Sequence, residues 1–401
     1  MPQASNTTDQ TVAVAPRRAA RTVIRPFAGV LDAVIVQDPV SFPFAGSVAR
    51  SHAEAGWTWV YRDLCPDLIS GDRVNSGQYS AAELEAVVPQ VLARMKDGLA
   101  LVANDPEKDR RLRAALGSAE ARDALPTLML ALRSRALLGK AQAFGKAINT
   151  IGDDAALGVA LQSMPLQDPA LAALLFHAAI GQVANPTRLV TTIIKISGNA
   201  TEAAVIRMGF TPVIDAVAAH AQDQLHILQP MGPFADIDLV CRSLDRFHRL
   251  VRALTGYIEF ARGSRWSQTL AAITKQVSDR IEPRLRDVVA DLNQAMRRRE
   301  GSDRLDDDRI LAAINGVYLL ATIRDCRDSL ALNAVFEQAW SQTGQALEVH
   351  LQRNLDLYRQ DPEDAAVSAR LDAGIKMAEV RFNPEYADTL RRARVSAGRR
   401  A

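Results

Sequence analysis

Six apolar residues, Val240, Leu244, Phe247, Val251, Leu254 and Ile258, stand at spacings that alternate four and three, so they share one stripe of a single α-helix. A stripe of that kind is stable only when covered, which obliges the chain to supply further rods to lie against it. Leu270, Ile273, Val277, Ile281, Leu285, Val288, Leu292 and Met296 form a second stripe, with Pro283 placed to bend its helix. Ile310, Ile314, Val317 and Ala321 begin a third, and Leu332, Phe336, Trp340, Leu347, Leu351, Leu355 and Tyr358 continue or follow it. At about 1.5 Å per residue, one helix from Asp306 to Gln360 would be longer than most globular domains are wide. A break is therefore expected near Asp325, Asp328 and Ser329.

Earlier in the chain the helices are shorter and their starts are marked. Ser80 with Glu83 makes a capping box, so a helix begins at Ala81 and is interrupted or kinked at Pro89. Asp105-Pro106, Asp168-Pro169, Asn185-Pro186 and Thr211-Pro212 each place a capping side chain before a proline that costs nothing in the first helical turn. Asp361-Pro362 and Asn383-Pro384 repeat the device. Further helices are expected after Ser118 and near Asp154, with stops at Gly152, Gly198 and Gly209. Such short helices on short loops must run antiparallel, as in a HEAT-like array or an orthogonal bundle, although no fixed repeat period is found.

The expected fold is thus all-α. Residues 1–44 form a disordered basic tail and a short arm, 45–230 a short-helix antiparallel region, 231–361 a long-helix bundle, and 362–401 closing helices with a basic tail. Leu and Ala dominate an apolar content of 48%, which favours helix because neither loses much rotamer freedom there. The stretch Trp57 to Tyr61 alternates like a strand inside a helical pattern, so both readings stand at that point.

Net charge of +2 is too small to imply nucleic acid or an anionic membrane. Its distribution is less bland: Arg17, Arg18, Arg21 and Arg25 gather near one end, and Arg391, Arg392, Arg394, Arg399 and Arg400 near the other. These ends are the sole weak suggestion of nucleic acid or lipid headgroups. Only seven of the 48 basic residues are Lys, which reads as the codon usage of a GC-rich bacterial genome. Cys65, Cys241 and Cys326 are far apart, and no apolar run reaches the roughly 18 residues of a spanning helix. A cytoplasmic protein without a transmembrane segment is expected.

Chemistry is harder to find. Asp306, Asp307 and Asp308, with Asp303, suggest a magnesium-binding cluster, but the nearest second cluster, Asp325 with Asp328, lies roughly 30 Å along the same rod. Helix capping explains the three aspartates better. His220, Asp223 and His226 carry zinc-binding types, yet the two histidines point about 240° apart around a helix. His177 reads as a core histidine. Gly139-Lys140 and Gly145-Lys146 resemble fragments of a phosphate loop with the wrong gap and no following Ser or Thr.

No cofactor, metal or catalytic set is therefore assigned. The expected function is a helical scaffold or adaptor that binds other proteins and self-associates through a stripe, with Trp57, Trp59 and Tyr61 as its weakly marked partner-binding residues. The alternatives are an all-α enzyme assembled from distant residues, of magnesium-dependent type near Asp306–Asp308, and binding of anionic surfaces by the Arg-rich termini.

Overall fold

The computed structural model describes residues 31–228, 236–298 and 305–398. The fold is all-α: among the described residues there are 17 α-helices and one two-stranded sheet of four residues. The capping signals did most of the placing. Ser80 and Glu83 exchange both bonds of the capping box at the start of α3 (Ala81–Ala103). Asp105, Ser118, Asp168 and Asn185 each accept backbone N–H bonds at the starts of α4 (Pro106–Leu116), α5 (Ala119–Arg133), α8 (Pro169–Ile180) and α9 (Pro186–Ser197).

Two starts differ from expectation. Thr211 is the first residue of α11 (Thr211–Asp223) and not its cap, because Phe210 precedes it with no side chain able to accept a bond. Asp361 closes a small turn by accepting from Glu363 N, and α16 (Ala365–Arg381) is capped instead by Asp364. Helix assignment continues through Pro89 in α3 and through Pro283 in α13 (Arg265–Met296). The expected break is present: α14 (Asp307–Cys326) passes through a 3₁₀ turn, Arg327–Ser329, before α15 (Asn333–Gln360).

Three apolar cores organise the helices. The first gathers the arm, α1 (Arg50–Trp59), α2 (Gly71–Asn75), and α3 to α6 (Arg135–Ile148). The second holds α7 (Asp154–Gln162), α9, α10 (Glu202–Arg207), α11, α12 (Ile237–Thr255) and most of α13 and α14. The third joins the far ends of α13 and α14 to α15, α16 and α17 (Pro384–Gly398). Five helices, α6, α8, α13, α14 and α15, contribute to two cores each. In α8 every residue from Ala172 to Ile180 is buried, Leu174 and Leu175 facing the first core and Phe176 and Ile180 the second. A helix apolar on all sides is one surrounded by others. In α13 the stripe read from sequence serves the second core as far as Val288 and the third from Leu292.

The arm is stitched to this scaffold by polar bonds. Strand β1 (Ile35–Val36) pairs in parallel with β2 (Val48–Ala49). Gln37 N donates to Asp223 Oδ1 at 2.6 Å, and the Gln222 amide brackets Phe42, accepting from its N and donating to its O. Arg265 reaches Pro43 O and Ser41 reaches Gln276. At Gly46, where φ is +79°, the backbone passes so close to α8 that a Cβ would stand 2.2 Å from Ala173 O. Only glycine fits there.

Candidate functional site

The aromatic cluster is the first site to place. Helix α1 ends at Trp59 and a π turn, Val60–Leu64, follows, closed by Cys65 N donating to Val60 O at 2.7 Å. The strand reading of Trp57 to Tyr61 is thereby set aside: on a helix, Trp57 and Tyr61 share a face and meet edge-on at 6.1 Å. Trp57 is buried in the first core and Tyr61 is half-buried against Gly71. Of the three residues, Trp59 alone lines a surface groove, about 390 Å³ in volume, between the π turn, α3 and α4. Trp59 itself is buried, 8% exposed, and Gly98 lies against its ring, where a Cβ would stand 3.7 Å away. Leu101, 63% exposed, stands at the lip beside buried Leu112. Arg62, Lys108 and Arg111 surround these apolar groups, against one acid, Asp63.

The histidines form a pair that local spacing did not reveal. His177 of α8 and His220 of α11 stack at 4.2 Å with their planes 17° apart. His220 Nε2 donates to His177 O at 2.8 Å, which fixes its tautomer when neutral. Both nitrogens of the His177 ring are buried with no hydrogen-bond partner. Burial pushes both imidazoles below their ordinary range, and each therefore stays neutral at pH 7. His226 instead bonds Asp223 O of its own turn, so His220, Asp223 and His226 do not converge.

Asp306 caps α14 by accepting from Arg309 N, and Asp307 and Asp308 lie in the first helical turn, near the positive end of the dipole. Asp303 lies outside the described residues. Among those residues no group of three or more His, Cys, Asp or Glu is placed to hold a metal ion. Asp306→Ala is expected to cost about 1 kcal/mol as a lost cap, and added magnesium should leave the unfolding temperature of both proteins unchanged. A magnesium-dependent rise in the parent alone would restore the metal reading. Gly139 and Gly145 both fall within α6, on a helix and not in a phosphate-binding loop.

Burial raises the thiols of Cys65, Cys241 and Cys326, the last to about 12, which leaves none of them a thiolate at neutral pH. Of the basic ends, Arg17, Arg18, Arg21, Arg25, Arg399 and Arg400 lie outside the described residues. Arg391 pairs with Glu379 and Asp388, and Arg394 with Asp372. One further juxtaposition joins residues distant in sequence: His248 Nδ1 and Ser329 Oγ are 2.9 Å apart beside a cavity of about 420 Å³. No sequence signal links them. No helix among the described residues is long and apolar enough to cross a membrane. No protein-family model, curated protein or solved structure matches the chain.

Proposed function

We propose that the chain is a cytoplasmic helical scaffold or adaptor that takes up another protein at the groove between the π turn and α3–α4. The observation that carries this reading is Leu101. A leucine 63% exposed at the lip of a groove whose floor includes the edge of the buried Trp59 ring is an apolar anchor point, the composition of an interface centre. The charged rim is balanced, Arg62 pairing with Asp63, Lys108 with Asp105 and Arg111 with Glu107, so the apolar contact at Leu101 carries the docking and the rim sets orientation more than affinity. Another surface depression, about 640 Å³ along α15, is lined by that helix alone and offers no opposed walls. The Arg-rich carboxyl end does not favour anion binding either, because Arg391 and Arg394 already engage carboxylates.

A photocrosslinking residue placed at Leu101 in the native host is expected to attach to one defined protein. The same residue at Val395, an equally accessible apolar position on α17, should not. Leu101→Glu should reduce recovery of that protein by about tenfold or more with an unchanged unfolding temperature. Identical adducts from both positions, or none at 101, would remove the groove from consideration.

A further inference from the structure

The cavity beside Ser329 lies between α12, α13 and the 3₁₀ turn, and shares no residue with the Trp59 groove. Its polar lining residues are Thr255, Ser267, Thr274, Asp328, Ser329 and Arg252. Val251, Phe260, Leu270 and Leu330 supply its apolar walls. The 3₁₀ turn that presents Ser329 is closed on itself and anchored to α13 just after its end. Leu330 N donates to Arg327 O, and Ala331 N donates to Ser278 Oγ on α13. Ser329 itself is 3% exposed, so its hydroxyl is held close to His248 with little water around it.

We propose that Ser329 is a nucleophile activated by His248, and that the cavity takes acyl esters whose acyl group carries a negative charge. The geometry meets the first requirement of such a pair, a hydroxyl oxygen 2.9 Å from an imidazole nitrogen. With the ring proton on Nε2, the hydroxyl donates to Nδ1. Burial and the neighbouring Arg252 hold His248 below its ordinary range, so the base is neutral and ready at pH 7. Asp245 and Asp328 face the ring as well, opposed by Arg249 and Arg252, and their carboxylates stabilise the imidazolium once it forms. Arg252 makes no ion pair among the described residues, which leaves its charge for an anionic acyl group.

The reaction balances without another reagent. Ser329 Oγ bonds to the acyl carbon as its proton passes to His248 Nδ1, the ester C–O bond breaks, and the proton leaves with the alcohol. Water then attacks the acyl-serine, gives its proton to His248, and the released serine oxygen takes it back. The free acid departs.

The test is mass spectrometry of the full chain after exposure to a fluorophosphonate. One adduct on Ser329 is expected, formed about 100-fold more slowly in His248→Gln, whose amide can still bond the hydroxyl. Hydrolysis of a nitrophenyl hemisuccinate should exceed that of neutral nitrophenyl butyrate, and Arg252→Met should erase the difference. No adduct on Ser329, an adduct elsewhere, or undiminished labelling of His248→Gln overturns the nucleophile. Equal hydrolysis of the two esters overturns the charge assignment.

Discussion

Gly145→Ala is expected to lower the unfolding temperature by about 5 °C, a loss of about 3 kcal/mol, whereas Gly139→Ala on the same helix raises it by about 1 °C. The sign differs because the surroundings differ. At Gly145 helix α6 crosses α8, and a Cβ would stand 2.1 Å from Ala179 O and 2.8 Å from its carbonyl carbon. Those atoms are backbone of a helix buried on all sides, so neither helix can yield without opening both cores that α8 serves. Around Gly139 nothing lies within 4 Å of the added atom, and alanine there gains only the helix preference of about 1 kcal/mol over glycine. Circular dichroism melts of the two variants decide it. Shifts of the same sign would show that the α6–α8 crossing is looser than its geometry implies.

The second large effect is loss of stability in mild acid. His177 and His220 are buried and neutral, with folded values depressed below the ordinary histidine value of about 6.5. The unfolded chain takes up protons on both as pH falls through that value, while the folded chain does not. Stability is therefore lost as pH falls through about 6.5, by at most about 1.4 kcal/mol per histidine at pH 5.5, with His177, the more strongly depressed of the two, contributing most. The groups facing the pair set the balance: Asp223 and the His177 carbonyl favour the charged form of His220, and burial and Arg246 on α12 oppose it. His248 and His350 are depressed too, so the slope of the parent alone does not isolate the pair. His177→Leu does. Urea midpoints measured from pH 7.5 to 5.5 should fall less steeply in that variant. Its stability at neutral pH should rise by about 1 kcal/mol, since an imidazole with two unpartnered buried nitrogens is removed. Parallel pH profiles for the two proteins would refute the assignment.

What could be read before the structure was what local chemistry writes. Helix starts at Ala81, Pro106, Ala119, Pro169 and Pro186 follow from cap side chains within three residues of the N–H groups they accept. The stripes of α12 and α13 followed from their period. Thr211 and Asp361 misled because a cap-and-proline pair describes a permitted start, and whether the chain uses it depends on the turn before it. The alternation at Trp57–Tyr61 misled for another reason. Trp57 and Trp59 are both buried in the first core, Trp59 also lining the groove, and burial on two sides of one helix imitates the period of a strand. Contacts made by the tertiary fold left no trace. His177 and His220 stand 43 residues apart, and His248 and Ser329 stand 81 apart, so neither pair exists until distant helices pack. Glycine held a similar surprise: Gly145-Lys146 looked like a piece of a phosphate loop, and its glycine marks a crossing of two helices.

The arm at residues 31–49 carries a consequence for synthesis. Its bonds to Asp223, Gln222, Arg265 and Gln276 span 186, 180, 222 and 235 residues, so none of its partners has been translated when it leaves the ribosome. At about 5 to 20 residues per second, the arm waits on the order of ten to forty seconds for the first of them. During that interval the polar stitches stay open, while Leu31, Val34 and Ile35 already have their apolar neighbours of the first core, Val48 to Ala141, so the arm packs before it is tied down.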